Sequence, residues 1–257
     1  MKLPDMKMRT AASLLIGTAI AGMWFSGCAT GRGVGGSGLK SAATKEQPFV
    51  NSLGMKFVPV PGTKILMCTT ETTVAQYQAA GIGYHAPAFP QGPSHPAVNV
   101  SPNDAKAWCE WLSKKEGKRY RLPTDAEWSA AVGGGTYPWG EGWPPPNNFG
   151  NYCGQEFKTA EAIAYAKSYG MQAGQWGVIG GFRDRHVFTA PVGSYAPNGL
   201  GIYDLSGNAW EWCEDKAVLR GGSFINGRRD ALQSSFRDYD YAPAGRYDYL
   251  GFRCVLE

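Results

Sequence analysis

The chain has 257 residues, a formal net charge of +4, 18% charged residues and 13% aromatic residues. Low charge and a high apolar content argue against disorder. The lack of a Lys/Arg run interleaved with aromatics argues against a nucleic-acid partner.

In chain order, Lys2, Lys7 and Arg9 form a positive start, and an apolar run from Ala11 to Phe25 leads into Ser26-Gly27-Cys28. This is the layout of a secretory signal peptide over 1–27. The small pair before a cysteine is similar to a bacterial lipobox, with Cys28 as the lipidated new N-terminus. The run falls short of the roughly 18–20 residues that a membrane span needs. Residues 28–48 are rich in Gly, Ser, Ala and Thr and predict a flexible tether. Together these features place the expected mature protein in a bacterial envelope, lipid-anchored at the outer membrane or cell surface, in an oxidising compartment.

The roughly 210 residues that remain, 49–257, suffice for one domain. With 35 glycines and 17 prolines in the chain, short elements joined by much irregular loop are expected. Phe57-Val58-Pro59-Val60 reads as an edge strand because of its proline. Residues 71–77 read as a short helix stopped at Gly81. Ser101 is a good N-cap, Pro102 suits the first helical position, and Asp104 suits the positive helix end. Ala105, Trp108, Cys109 and Leu112 then form one apolar face, and Gly117 ends the helix. Thr124 with Glu127 is a capping box for a second helix, which stops at Gly133-Gly134-Gly135. The stretch 137–189 reads as loop with one helix over 160–169. Short aromatic-rich strands and turns follow, and no internal repeat is present.

Several ordered motifs carry a family resemblance. His95-Pro96-Ala97-Val98-Asn99-Val100-Ser101 leads into Ala107-Trp108-Cys109-Glu110-Trp111-Leu112 and Arg119-Tyr120-Arg121-Leu122-Pro123-Thr124. Asn198-Gly199-Leu200-Gly201-Ile202-Tyr203-Asp204-Leu205-Ser206-Gly207-Asn208-Ala209-Trp210-Glu211-Trp212 comes next. Leu219-Arg220-Gly221-Gly222-Ser223-Phe224 and Gly251-Phe252-Arg253-Cys254 close the series. From about Gly54 onward the chain resembles the formylglycine-generating, or sulfatase-modifying factor, family. The resemblance implies an α+β, C-type-lectin-like fold of the formylglycine-generating-enzyme subtype, loop-rich, with a rigid framework from Trp108, Trp128, Trp139, Trp210 and Trp212.

The family's oxygenase chemistry uses two copper-binding cysteines shortly after the Arg-Gly-Gly-Ser segment. The matching places hold Asn226 and Ala231. Neither an amide nor a methyl group replaces a soft thiolate ligand, so no catalytic residue and no such activity are expected. The histidines, His85, His95 and His186, show no metal-ligand spacing. The resemblance also implies structural calcium, though no cofactor is required for binding. One set comprises Asn151 and Asp184 with the carbonyls of Tyr152 and His186; the other comprises Asn208 and Glu211. Five cysteines follow Cys28, so at least one stays unpaired, and Cys109 reads as a buried thiol.

Residues 223–250 hold no Lys, Glu, Met or Trp and a single Gln, whereas these five types make up roughly a fifth of ordinary chains. Tyr, Arg, Asp, Ser and Gly dominate, as in antibody-type binding loops. This bias is similar to that of diversity-generating retroelement variable proteins, in which adenines of a C-terminal segment are mutated on a C-type-lectin-like fold. The residues expected to face a ligand are Phe224, Asn226, Arg228, Arg229, Asp230, Tyr239, Tyr241, Arg246, Tyr247 and Tyr249, with some of the aromatics expected in the core. The functional expectation is a monomeric, surface-displayed binder of a protein or other surface ligand. The alternatives are a formylglycine-generating or related sulfur-oxidising enzyme, and an envelope accessory protein without a diversified face.

Overall fold

Ser101 shapes the longest element. Its side chain accepts from Asp104 N–H, the Asp104 carboxylate accepts from Ser101 N–H at 2.8 Å, and Gly117 ends the helix at φ 62°. The computed structural model describes residues 43–170, 177–215, 218–239 and 241–257. The expected signal peptide, the Cys28 lipidation site and residues 28–42 of the tether lie outside them. Among the described residues, no helix is long and apolar enough to cross a membrane.

The helices are α1 (Val74–Gln78), α2 (Pro102–Glu116), α3 (Asp125–Val132) and α4 (Ala160–Ser168), with a 3-10 turn over Gln155–Lys158. The strands are β1 (Phe49–Val50), β2 (Lys56–Pro59), β3 (Leu66–Cys68), β4 (Tyr120–Arg121), β5 (Trp210–Trp212), β6 (Leu219–Arg220), β7 (Leu250–Gly251) and β8 (Val255–Leu256). One antiparallel sheet has the order β1-β2-β3-β8-β4. A second has the order β6-β5-β7, with β7 parallel to β5.

Alternation along the first sheet sorts its side chains onto two faces. Phe57, Leu66, Cys68 and Leu256 join Ala105, Trp108, Cys109 and Leu112 of α2 in the larger core cluster. Val58, Met67 and Val255 join Trp128, Ala131 and Val132 of α3 in a second. Fully burying one such aliphatic or aromatic side chain stabilises by about 1.5–3 kcal/mol. Trp108 and Trp212, both fully buried, donate their indole N–H to the carbonyls of Gln76 at 3.1 Å and Val100 at 2.9 Å. The Thr124–Glu127 capping box forms as expected, with Gly133 at φ 88° after α3.

Three expectations need correction. β2 is not an edge strand, since β1 and β3 flank it. Its proline is tolerated because β1 reaches only Lys56 and Phe57, leaving Pro59 with a partner on one side. The first helix starts at Val74 because Thr73 caps it, while Thr72 bonds Phe252 O and Ala97 N in an extended pairing. The end of the expected tether packs on the domain: Ala43 is buried, and Lys45 Nζ donates to Gly199 O at 3.1 Å. Trp139 is only half-buried, unlike the other four framework tryptophans. All five described cysteines are free and buried, and burial pushes the Cys109 thiol up.

Candidate ligand-binding face

Residues 223–250 leave the second sheet through a turn that only glycine fits. Gly221 and Gly222 have φ of 94° and 76°, and a Cβ on Gly222 would meet Leu232 Cδ2 at 2.8 Å. Ahead of the turn, buried Arg220 lies 4.5 Å over the Trp128 ring and donates to Asp125, to Ser129 Oγ and to Ser234 O. Behind it, Phe224 N–H donates to Asn208 O at 3.1 Å.

Asn226 turns inward rather than toward a ligand. Its side-chain oxygen accepts from Ser223 N–H and Oγ–H, each at 2.9 Å, and so staples the turn. The point where a Cβ of Gly222 would stand lies 3.9 Å from Asn226 Cβ and 3.7 Å from Ala231 O. The fold thus brings both 226 and 231, the positions where the resemblance implies the family's cysteines, close to Gly222. Phe224 also departs from expectation. It is fully buried and packs against Phe89, Phe188, Tyr165 and Phe157, with ring centroids 5.4 to 6.4 Å away. An aromatic ring gains more from such edge-on burial than from solvent. Tyr249 is buried too, stacked on Tyr247 at 5.7 Å and near Tyr169 at 6.5 Å.

The remaining expected residues reach the surface in two groups. Arg228, Arg229 and Asp230 are exposed, and Arg228 pairs with Asp230. Tyr239 is 50% exposed. Tyr241 and Tyr247 are half-buried, 5.3 Å apart, and Tyr241 lies edge-on to Trp212 at 5.8 Å while its hydroxyl donates to Asp238 at 3.1 Å. Arg246 is exposed and grips Asp104 through two bonds of 2.8 Å, which ties the segment to the start of α2. Burial alone would raise the Asp104 carboxyl, but hydrogen bonds from Arg246 and Ser101 hold it below its usual value. Burial pushes the Tyr241 and Tyr249 hydroxyls up, so both stay neutral donors. Two hollows, one at Val132, Phe149 and Asp204 and one at Thr63, Arg121 and Glu127, are lined by no residue of this segment.

The two implied calcium sets differ in fit. Asn151 is fully buried, and its side-chain oxygen has no hydrogen-bond partner. The adjacent Tyr152 N–H donates to the Asp184 carboxylate at 2.7 Å, as does His186 N–H at 3.0 Å. Burial raises the Asp184 carboxyl to about 7. An orphaned amide oxygen and an uncompensated carboxylate suit a hard cation that takes oxygen ligands; Asn151, Asp184 and the carbonyls of Tyr152 and His186 would hold it. Asn208 and Glu211 do not fit. Asn208 is spent on Ala190, Asn151 and Glu71. Both Glu211 oxygens are taken by Arg253 at 2.6 and 2.7 Å, and one also by Trp128 Nε1 at 3.0 Å.

That Glu211–Arg253 pair, fully buried, escaped the reading of the sequence. So did Glu71 and Asp204, whose carboxyls burial pushes well up and up to about 6 respectively. The one available signal was Arg253 standing among the largely apolar residues between Leu250 and Leu256, in the link between β7 and β8. Also missed was the aromatic surface of Tyr137, Trp139 and Trp143, read from sequence as loop and framework.

This geometry defines a class: a loop-rich α+β domain of the C-type-lectin-like fold, presenting a segment held between two short strands. The chain belongs to the sulfatase-modifying factor enzyme 1-like domain family, matched over residues 40–257. It is 33% identical over 195 residues to the formylglycine-generating enzyme of Streptomyces coelicolor, covering 63% of this chain and 53% of that enzyme. It is 34% identical over 176 residues to the inactive C-alpha-formylglycine-generating enzyme 2 of Bos taurus, covering 62% and 50%. The chain thus spans about half the length of these curated relatives. Among solved structures, PvdO from Pseudomonas aeruginosa superposes with a TM-score of 0.56 at 26% identity, covering 75% of this chain and 80% of that one. Treponema denticola variable protein 1 shares the fold, with a TM-score of 0.54 at 22% identity over 75% and 84% of the two chains.

Proposed function

We propose that this chain is a lipid-anchored, surface-displayed binding protein whose residues 223–250 form a diversified ligand face, and that it lacks formylglycine-generating activity. Cys28 carries the anchor, the following tether holds the domain off the outer membrane or cell surface, and the protein works as a monomer. Its ligand is a protein or other surface molecule, not nucleic acid. Calcium at Asn151 and Asp184 buttresses the scaffold without taking part in binding.

One observation carries the reading. Where the family resemblance puts two copper thiolates stand Asn226, whose amide is already committed to Ser223, and Ala231, and both residues come near Gly222. Just beyond them Arg228, Arg229 and Asp230 face solvent. A pocket without soft ligands cannot hold Cu(I), whereas exposed side chains on a rigid frame suit recognition. The fold shared with a protein named as variable, and the family's inclusion of a relative named inactive, both support it.

Sequencing the locus across sibling isolates tests the proposal. Substitutions are expected at adenine-containing codons for the surface-reaching positions Arg228, Arg229, Asp230, Tyr239, Tyr241, Arg246 and Tyr247, and not for buried Phe224 or Arg220. Substitutions scattered evenly over the domain would sink it. The second reading, formylglycine chemistry, is favoured by relatives that bear that name. Incubation with copper and a sulfatase-type peptide decides between them, because oxidation of the peptide cysteine to formylglycine changes its mass.

A further inference from the structure

Three of the four arginines at the surface of residues 223–250 are neutralised within the chain. Arg228 pairs with Asp230, Arg237 with Asp125 and Arg246 with Asp104. Arg229 is the exception: it has no carboxylate partner among the described residues. Its guanidinium lies instead 5.3 Å over the ring of Trp143, with the side chain exposed.

Trp143 belongs to an aromatic surface contributed by the loop after α3. Trp139 stacks on buried Tyr137 at 4.7 Å with an interplanar angle of 4° and sits 6.2 Å from Trp143. Tyr152 and Phe149 brace Trp139 edge-on at 5.6 and 5.8 Å, and its indole N–H donates to Gly142 O at 2.7 Å. Trp139 and Trp143 nevertheless keep part of their rings in solvent. Both pack partly on the cluster of Tyr152, Ile179, Phe182 and Leu232, and tryptophans with this mix of buried and solvent-facing surface are enriched among binding hot spots.

The backbone that presents Arg229 is equally constrained. A Cβ on Gly227 would stand 1.7 Å from Gly177 O, so only glycine allows this approach. Cys153 N–H donates to Asn226 O at 3.0 Å, and Ile179 N–H donates to Cys153 O at 2.9 Å, closing the clamp. Such preorganisation lowers the ordering cost of binding.

The geometry points to Trp139, Trp143 and Arg229 as a joint recognition patch for a protein partner, one that takes an extended peptide carrying an Asp or Glu carboxylate next to an apolar side chain. The free guanidinium receives the carboxylate through paired N–H donors, and the indole faces receive the neighbouring apolar group. Two of the three residues lie outside 223–250, so the patch supplies a part of the site that the segment does not encode. The inference rests on the chain being a binder, but it has its own test.

Random peptides displayed on phage, selected on the intact domain, provide the probe. The parent protein is expected to enrich peptides with Asp or Glu beside an aromatic, aliphatic or proline residue. Synthetic versions of the enriched peptides should bind Arg229→Ala and Trp143→Ala about tenfold or more weakly by calorimetry. Arg229→Glu, at an exposed site where folding is not at stake, should shift selection toward Lys- and Arg-bearing peptides. Near-UV circular dichroism identical to the parent shows that each variant is folded. Peptides that depend on Tyr239 and Tyr247 but not on Arg229 or Trp143 would overturn this patch while leaving the binding-protein reading intact. No enrichment at all, or Arg229-dependent binding of an acidic polysaccharide such as hyaluronan but of no peptide, would also overturn it.

Discussion

Arg253 and Arg229 lie near the same end of the chain and meet opposite surroundings. Arg253 is fully buried and engages all three guanidinium nitrogens within the protein, donating to Glu211, Cys68 O and Tyr203 O. Arg229 stands in solvent over an indole, with no carboxylate partner among the described residues. One charge is satisfied inside the protein and the other is left to solvent. The same division runs through the aromatics: Phe224 lies within a cage of rings, and Tyr239 has half its surface in water.

The sharpest way to break that contrast is to remove one buried charge. Arg253→Leu leaves Glu211 uncompensated in the core and should cost about 3–5 kcal/mol, while Arg229→Leu should stay within about 0.5 kcal/mol. Urea denaturation measures both, and equal midpoints would erase the distinction between framework and face. Next, Phe224→Ala opens a cavity and should cost about 3 kcal/mol, against a near-neutral Tyr239→Ala. Tyr239 should instead alter ligand binding, which Phe224 would do only by unfolding its surroundings.

Calcium gives a smaller effect with a defined sign. The folded Asp184 carboxyl sits at about 7, well above its unfolded value near about 3.9. A raised folded value means the group stabilises fully below the unfolded pKa and that this contribution is lost as pH rises through about 7. A cation would relieve that loss, so calcium should raise the melting temperature at pH 8 more than at pH 5, by about 2–4 °C per kcal/mol. Asp184→Asn should abolish the pH dependence of the calcium effect, and an unchanged difference would remove Asp184 from the site. Smallest of all, Arg246→Ala breaks an exposed pair with Asp104 and should cost about 1 kcal/mol or less. If it instead rivals Phe224→Ala in thermal melts, the Tyr241–Tyr247 end belongs to the framework.

Local signals were strong where the cause is local. Ser101 with Asp104 and Thr124 with Glu127 marked their helix starts because a cap needs only its own turn, and Gly117 marked an end for the same reason. Surface-facing residues of 223–250 were harder to name. Composition singled out the segment, yet Phe224, Asn226 and Tyr249 turn inward, because which way a side chain points in a loop depends on what the rest of the chain brings against it. The aromatic patch was missed because Trp139 and Trp143 come from a loop distant in sequence from Arg229.

What the residues determined alone was the family, the short capped helices, the absence of thiolates at positions 226 and 231, and the skewed chemistry of 223–250. What only the tertiary structure decided was partnership. Glu211 paired with Arg253, Asn226 closed on Ser223, and Arg229 found no carboxylate among the described residues. Each of these outcomes depends on approach distances of a few ångströms between segments far apart along the chain, and order along a sequence carries no such distances.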